Sequence, residues 1–145
     1  MRTMETEYHY ASQTLRTALR QTTCKKGFVL VIEDDECVTE ILETVIKARA
    51  KITVKTIATS KAANKLINED SKNIVCAIID MDLGSGGSGS DVINLIEKSH
   101  KEIPYIIYTG MDINDLHKQY PNARVVQKNG SMDKLLAALP RSGDE

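Results

Sequence analysis

Six consecutive apolar residues, Ile74 to Ile79, end abruptly on Asp80, and a glycine-serine stretch, GSGGSGS, follows at positions 84–90. A short apolar run without polar alternation, closed by turn residues, is the pattern of a strand covered on both faces, as in the middle of a parallel sheet. Parallel strands cannot be joined by tight hairpins and need crossover connections, usually helices. Asp80 then stands at the carboxyl end of an interior strand, the edge at which open α/β sheets bind ligands.

The flanking sequence supplies the alternation that such a sheet needs. FVLVI at Phe28–Ile32 predicts a first strand, and Val38, Ile41, Leu42, Val45 and Ile46 then repeat with helical period to about Arg49. A shorter, more polar strand is expected at 52–58, nearer a sheet edge, then a helix on Ala62, Ala63, Leu66 and Ile67. Beyond the strand at 74–80, helical spacing of Val92, Ile93, Leu95 and Ile96 predicts the next helix. A fourth strand at 103–108, a short helix at Ile113–Gln119 and a fifth strand at 123–127 complete the alternation. Ser131 is placed to cap a last helix through Leu139, which Pro140 stops. The expected architecture is α/β, one doubly wound five-stranded parallel sheet with helices on both faces. It occupies 28–139, with an N-terminal helical extension at 1–27 and a loose tail at 140–145. In the extension Met4, Tyr8, Ala11, Leu15 and Ala18 form a helical stripe, which either docks on the domain or serves homodimerisation or partner binding.

With 145 residues the chain makes one ordinary domain, and its net charge of -1, spread evenly, argues against nucleic-acid binding. No apolar segment approaches the roughly 20 residues that span a bilayer. Three cysteines, Cys24, Cys37 and Cys76, lie far apart without a CxxC pair, which fits reduced thiols and a cytoplasmic location. The three histidines, His9, His100 and His117, show no metal-ligand spacing.

If every strand is parallel, one edge collects the polar residues that end the apolar runs: Glu33, Asp34 and Asp35, then Asp80, Thr109 and Lys128. Taken singly, each is an ordinary strand terminator. Together they bring carboxylates, a hydroxyl and an ammonium to one place. Crowded carboxylates take up protons or recruit a cation, and all-oxygen donors on loops suit Mg²⁺. Lys128 is better suited to a phosphoryl oxygen or the Asp80 carboxylate. The parts match phosphoryl transfer to a carboxylate nucleophile.

VLVIEDDE, AIIDMDL, IIYTG and QK, in that order, resemble the receiver domain of two-component response regulators over most of the chain. The resemblance implies a flavodoxin-like sheet and a single-domain response regulator. Asp80 would accept a phosphoryl group from a sensor histidine kinase or a histidine phosphotransfer protein. Thr109 and Lys128 would complete the catalytic set, and Glu33, Asp34, Asp80 and the backbone carbonyl of Asp82 would form the Mg²⁺ site. Asp35 would be an extra acid outside it. Output would pass to a downstream protein target, because only one helix is expected after Lys128. The family's usual prolines are replaced by Gly84 and Asn129, the usual aromatic three residues before the lysine by Val125, and the loop after Asp80 is about one residue longer. A permissive, glycine-loosened loop is therefore expected. Asp82 and Met111, in the positions that tune hydrolysis in this family, imply moderate to slow loss of the phosphoryl group.

Other readings compete. GSGGSG at 84–89 is a literal G-x-G-x-x-G between strand and helix, but it follows the third strand rather than the first, and Asp80 at its mouth repels a pyrophosphate. Asp80-Met81-Asp82, Thr109 and Lys128 also fit the order of a haloacid-dehalogenase-like phosphatase, although the acids at 33–35 precede Asp80 where that superfamily has them late. A degenerate receiver that acts only as a binding module is the third alternative.

Overall fold

In a computed structural model, residues 27–121 and 123–128 of the chain are described. The strands are β1 (Phe28–Ile32), β2 (Thr53–Ile57), β3 (Ile74–Ile79), β4 (Tyr105–Thr109) and β5 (Arg124–Gln127). Between them lie helices α1 (Glu36–Ala50), α2 (Ser60–Asp70), α3 (Gly89–Ser99) and α4 (Ile113–Gln119). The expected N-terminal helix, the last helix at 131–139 and the tail lie outside the described residues.

The five strands form one parallel sheet in the order β2-β1-β3-β4-β5. The chain first steps outward from β1 to β2, then returns past β1 and proceeds the other way. With right-handed crossovers, that reversal puts α1 on one face and the later helices on the other. Burial agrees. Leu42 and Ile46 of α1 pack with Val29, Val31, Cys76, Ile78 and Ile106 on one face. The opposite face joins Leu30, Ile32, Ala77, Ile79 and Ile107 to Ala63 and Ile67 of α2, Val92, Ile93 and Ile96 of α3, and Leu116 of α4.

β3 has all six residues buried, as its unbroken apolar run requires, whereas β2 at the sheet edge exposes Thr53, Lys55 and Thr56. Observed boundaries differ little from expectation. β4 starts at Tyr105 rather than residue 103, because Pro104 has no N–H for the ladder and contributes only its carbonyl, 2.9 Å from the Ala77 N–H. α2 starts two residues earlier than its apolar spacing indicates, since Thr59 caps it through the Ala62 N–H.

The reversal point lies between β1 and β3, where the helices leave to opposite faces and a crevice opens beyond the strand ends. Asp80 N–H donates to the Ile32 carbonyl at 2.9 Å and Glu33 N–H to the Ile57 carbonyl at 3.0 Å. The ladder thus continues one residue beyond the strands and fixes the backbone of both acids.

Candidate phosphoacceptor and cation site

Glu33, Asp80 and Thr109 are the buried polar residues at this edge, and each is held by the strand it terminates. Lys128 follows β5 directly, and its N–H donates to the Thr109 carbonyl at 2.6 Å. From there its side chain reaches back across the sheet. Nζ lies 2.5 Å from Glu33 Oε2 and 3.3 Å from Asp80 Oδ2, with the Tyr108 ring 5.3 Å beneath it. One ammonium therefore bridges the carboxylates that end β1 and β3. Asp34, exposed beside them, brings the third carboxylate, and one oxygen from each of Glu33, Asp34 and Asp80 lies within 4.8 Å of the others.

The charges do not balance. Three carboxylates face one ammonium, in a place where burial removes much of water's screening. Burial pushes the Glu33 carboxyl from its ordinary 4.5 up to about 7, with the Lys128 hydrogen bond pulling it down and the charge of Asp80 adding to the rise. Burial alone would lower Lys128, but the Glu33 hydrogen bond and the charges of Asp80 and Glu33 outweigh it and hold the ammonium above its usual range. The causes differ, burial first for Glu33 and its carboxylate partners for Lys128, but the charge of Asp80 raises both groups, and three carboxylates around one ammonium leave a surplus of negative charge. A divalent cation coordinated by hard oxygens would remove that surplus, so the donor set fits Mg²⁺.

Asp35 is placed differently from its two neighbours. It caps α1, its Oδ1 accepting from the Cys37 and Val38 N–H groups at 2.9 and 3.4 Å, and it is not among the three clustered carboxylates. Asp82 brings no carboxylate to the cluster either, since its Oδ1 accepts from the Gly84 N–H at 2.9 Å. Its own N–H points back to Asp80 Oδ1 at 3.4 Å. Thr109 Oγ1 accepts from the Met111 N–H at 3.2 Å, which leaves the hydroxyl proton to be donated elsewhere.

The loop after Asp80 is not the loosened segment that its composition suggests. Gly84–Gly86 form a 3-10 turn, Asp82 and Ser88 pair as an antiparallel bridge, and Leu83 N–H donates to the Gly87 carbonyl at 3.3 Å. Gly84 sits at φ +57° and Gly87 at φ +106°, values that proline cannot adopt and other residues rarely do. The N–H groups of Leu83, Gly84, Gly86 and Gly87 are bonded inside the loop and are not offered to a pyrophosphate, which counts against the dinucleotide reading.

Sequence reasoning missed two neighbours. Tyr108 lies under the Lys128 ammonium, and Gln127 Nε2 donates to the Met111 carbonyl at 3.4 Å, tying the loop after Thr109 to β5. Both positions carry strand signals that hide any second role.

The family model described as "Response regulator receiver domain" matches residues 29–140, and the chain belongs to that family. Its members are signalling phosphoacceptors. Solved structures give the same fold. The response regulator TrrA of Thermotoga maritima, solved with Mg²⁺ and a beryllium fluoride, is 23% identical with TM-score 0.64, covering 75% of this chain and 92% of that one. A response regulator receiver domain protein from Clostridium thermocellum is 23% identical with TM-score 0.65, covering 77% and 90%. A LuxR-family DNA-binding response regulator from Staphylococcus aureus is 24% identical with TM-score 0.64, covering 77% and 94%. No curated protein sequence matches the chain. Membership of the receiver family displaces the phosphatase reading, and among the described residues no helix is long and apolar enough to cross a membrane.

Proposed function

We propose that this protein is a cytoplasmic response regulator whose receiver accepts a phosphoryl group on Asp80 from a histidine kinase or histidine phosphotransfer protein and signals through protein contacts. The observation that carries the reading is the placement of Lys128 Nζ against both Glu33 and Asp80, beside Asp34, at the reversal point of the sheet. A degenerate binding module would have no use for this set, so the competent reading is preferred.

In the proposed reaction a carboxylate oxygen of Asp80 attacks phosphorus, a P–O bond forms, and the bond to the donor nitrogen or oxygen breaks with the electron pair leaving on the donor. Asp34 and Asp80, with the backbone carbonyl of Asp82, would hold Mg²⁺. Glu33 would serve chiefly as the acceptor for Lys128, since one of its oxygens takes that ammonium and the other the Asp35 N–H at 3.2 Å. When bound, Mg²⁺ would supply positive charge to offset the charge that develops on the phosphoryl oxygens. Lys128 lies where it can transfer its hydrogen bonding from Asp80 to a phosphoryl oxygen, and Thr109 holds a hydroxyl proton for another. Moderate to slow hydrolysis fits Met111, whose side chain cannot orient water by a hydrogen bond, and Asp82, one of whose carboxylate oxygens is taken by the Gly84 N–H.

The decisive experiment is incubation with acetyl phosphate and Mg²⁺, followed by intact mass. Wild type gains one phosphoryl group that Asp80→Ala does not. An unmodified wild type, or equal labelling of the variant, would overturn the proposal.

A further inference from the structure

The glycine loop leans away from the site onto the turn between β2 and α2. Ser60, buried as the first residue of α2, donates its hydroxyl to the Gly86 carbonyl at 3.3 Å, across 26 positions of sequence. The approach is close enough to need glycine. A Cβ on Gly86 would lie 2.6 Å from the Ala58 carbonyl oxygen, and one on Gly87 would lie close to Ser60 Oγ. On its other side the loop meets the acids, where a Cβ on Gly84 would lie 3.2 Å from Asp34 Oδ2. Its far end is tied back to the phosphoacceptor strand. The Met81 carbonyl accepts from the Gly89 N–H at 2.9 Å and from Ser88 Oγ at 3.2 Å.

We infer that Ser60, which touches neither the carboxylates nor the lysine, is a positioning residue: by seating the glycine loop it fixes the Asp80–Asp82 backbone that the cation site uses. The inference rests on the phosphoacceptor reading above and deepens it. A shorter loop with proline in the Gly84 position could not be held this way, because proline can neither adopt φ +57° nor give Asp82 its N–H. Here the extra length is spent reaching Ser60, and the glycines provide close approach in place of flexibility.

Four full-length proteins test this: wild type, Ser60→Ala, Gly86→Ala and the double variant. In metal-free protein, amide exchange of Leu83, Gly86 and Gly87 is measured. In a second arm, labelling by acetyl phosphate is titrated with Mg²⁺ to separate the half-saturating concentration from the maximal rate. Loss of one hydrogen bond predicts that Ser60→Ala raises both the exchange rates and the Mg²⁺ midpoint about fivefold. The maximal rate stays within about twofold, since the reacting groups are untouched. Gly86→Ala lifts the loop off its seat and gives a larger change in the same direction, and the double variant is no worse than Gly86→Ala alone. Wild-type exchange and an unchanged Mg²⁺ midpoint in Ser60→Ala would overturn the role of Ser60, as would effects that simply add. Absence of label in wild type is a separate outcome, overturning the phosphoacceptor reading together with the role that depends on it.

Discussion

Asp80 stands between two segments that are fixed by different physics. Before it, β3 is six apolar residues, all buried, and its position follows from the area it removes from water. After it, the loop at 82–88 is mostly exposed but is held by hydrogen bonds, two residues with positive φ and the seat on Ser60. The strand gives the carboxylate its place in the sheet, and the loop gives the next peptides their direction. Hydrophobic burial is non-directional and tolerant, whereas a loop built from hydrogen bonds and close contacts is specific in each of its parts. The two halves should therefore fail differently.

The largest effect is expected on the strand side. Ile78→Ala deletes a side chain that is 1% exposed and packed between β1, β4 and α1. It should cost about 2–5 kcal/mol in a urea melt, with unfolding still a single transition. A cost below about 1 kcal/mol would show that β3 is less tightly packed than its burial implies. The loop side should yield a smaller and local loss. Gly84→Pro is incompatible with φ +57° and removes the donor to Asp82. It should cost on the order of 1–2 kcal/mol, with accelerated amide exchange confined to the loop. If that variant were as stable as wild type and exchanged normally, the loop would be the loose segment that glycine content suggests, and the contrast would collapse.

The same contrast explains what could be read from sequence. The strands, the described helices and the sheet class were legible because apolar period and burial go together, and Glu33, Asp34, Asp80, Thr109 and Lys128 stood out because each ends or follows a run. Parallel strands put these residues on one edge, and the strand order brings Lys128 to carboxylates 95 and 48 positions earlier (128 − 33 and 128 − 80). Ser60 was not legible. Its local signal belongs to the start of α2, and its partner Gly86 is named by nothing but the way two loops lean together. Cys76 illustrates the easy case: burial in β3 raises its thiol to about 12 and leaves it inert, as its place in an apolar run suggests.

The smallest effect concerns the junction of strand and site, and its sign follows from Glu33. Burial raises that carboxyl from 4.5 to about 7, so between these values the folded protein holds a proton that the unfolded chain has released. Stability must then fall as pH rises through the window, the reverse of an acid stabilised by a salt bridge. Lys128 does not cancel this slope, because its pKa is raised from an already high value and it stays charged in both states throughout the window. Melting temperature measured in metal-free buffer should decline from about pH 5 to about pH 7, and Glu33→Gln should flatten the decline. Saturating Mg²⁺ should shift the balance toward the ionised cluster, so that the gain in melting temperature from the cation is greater near pH 7 than near pH 5. A metal-free profile that instead rose with pH would mean that Lys128 holds Glu33 ionised despite its burial. The surplus charge that makes the cluster a cation site would then lie on Asp34 and Asp80 alone.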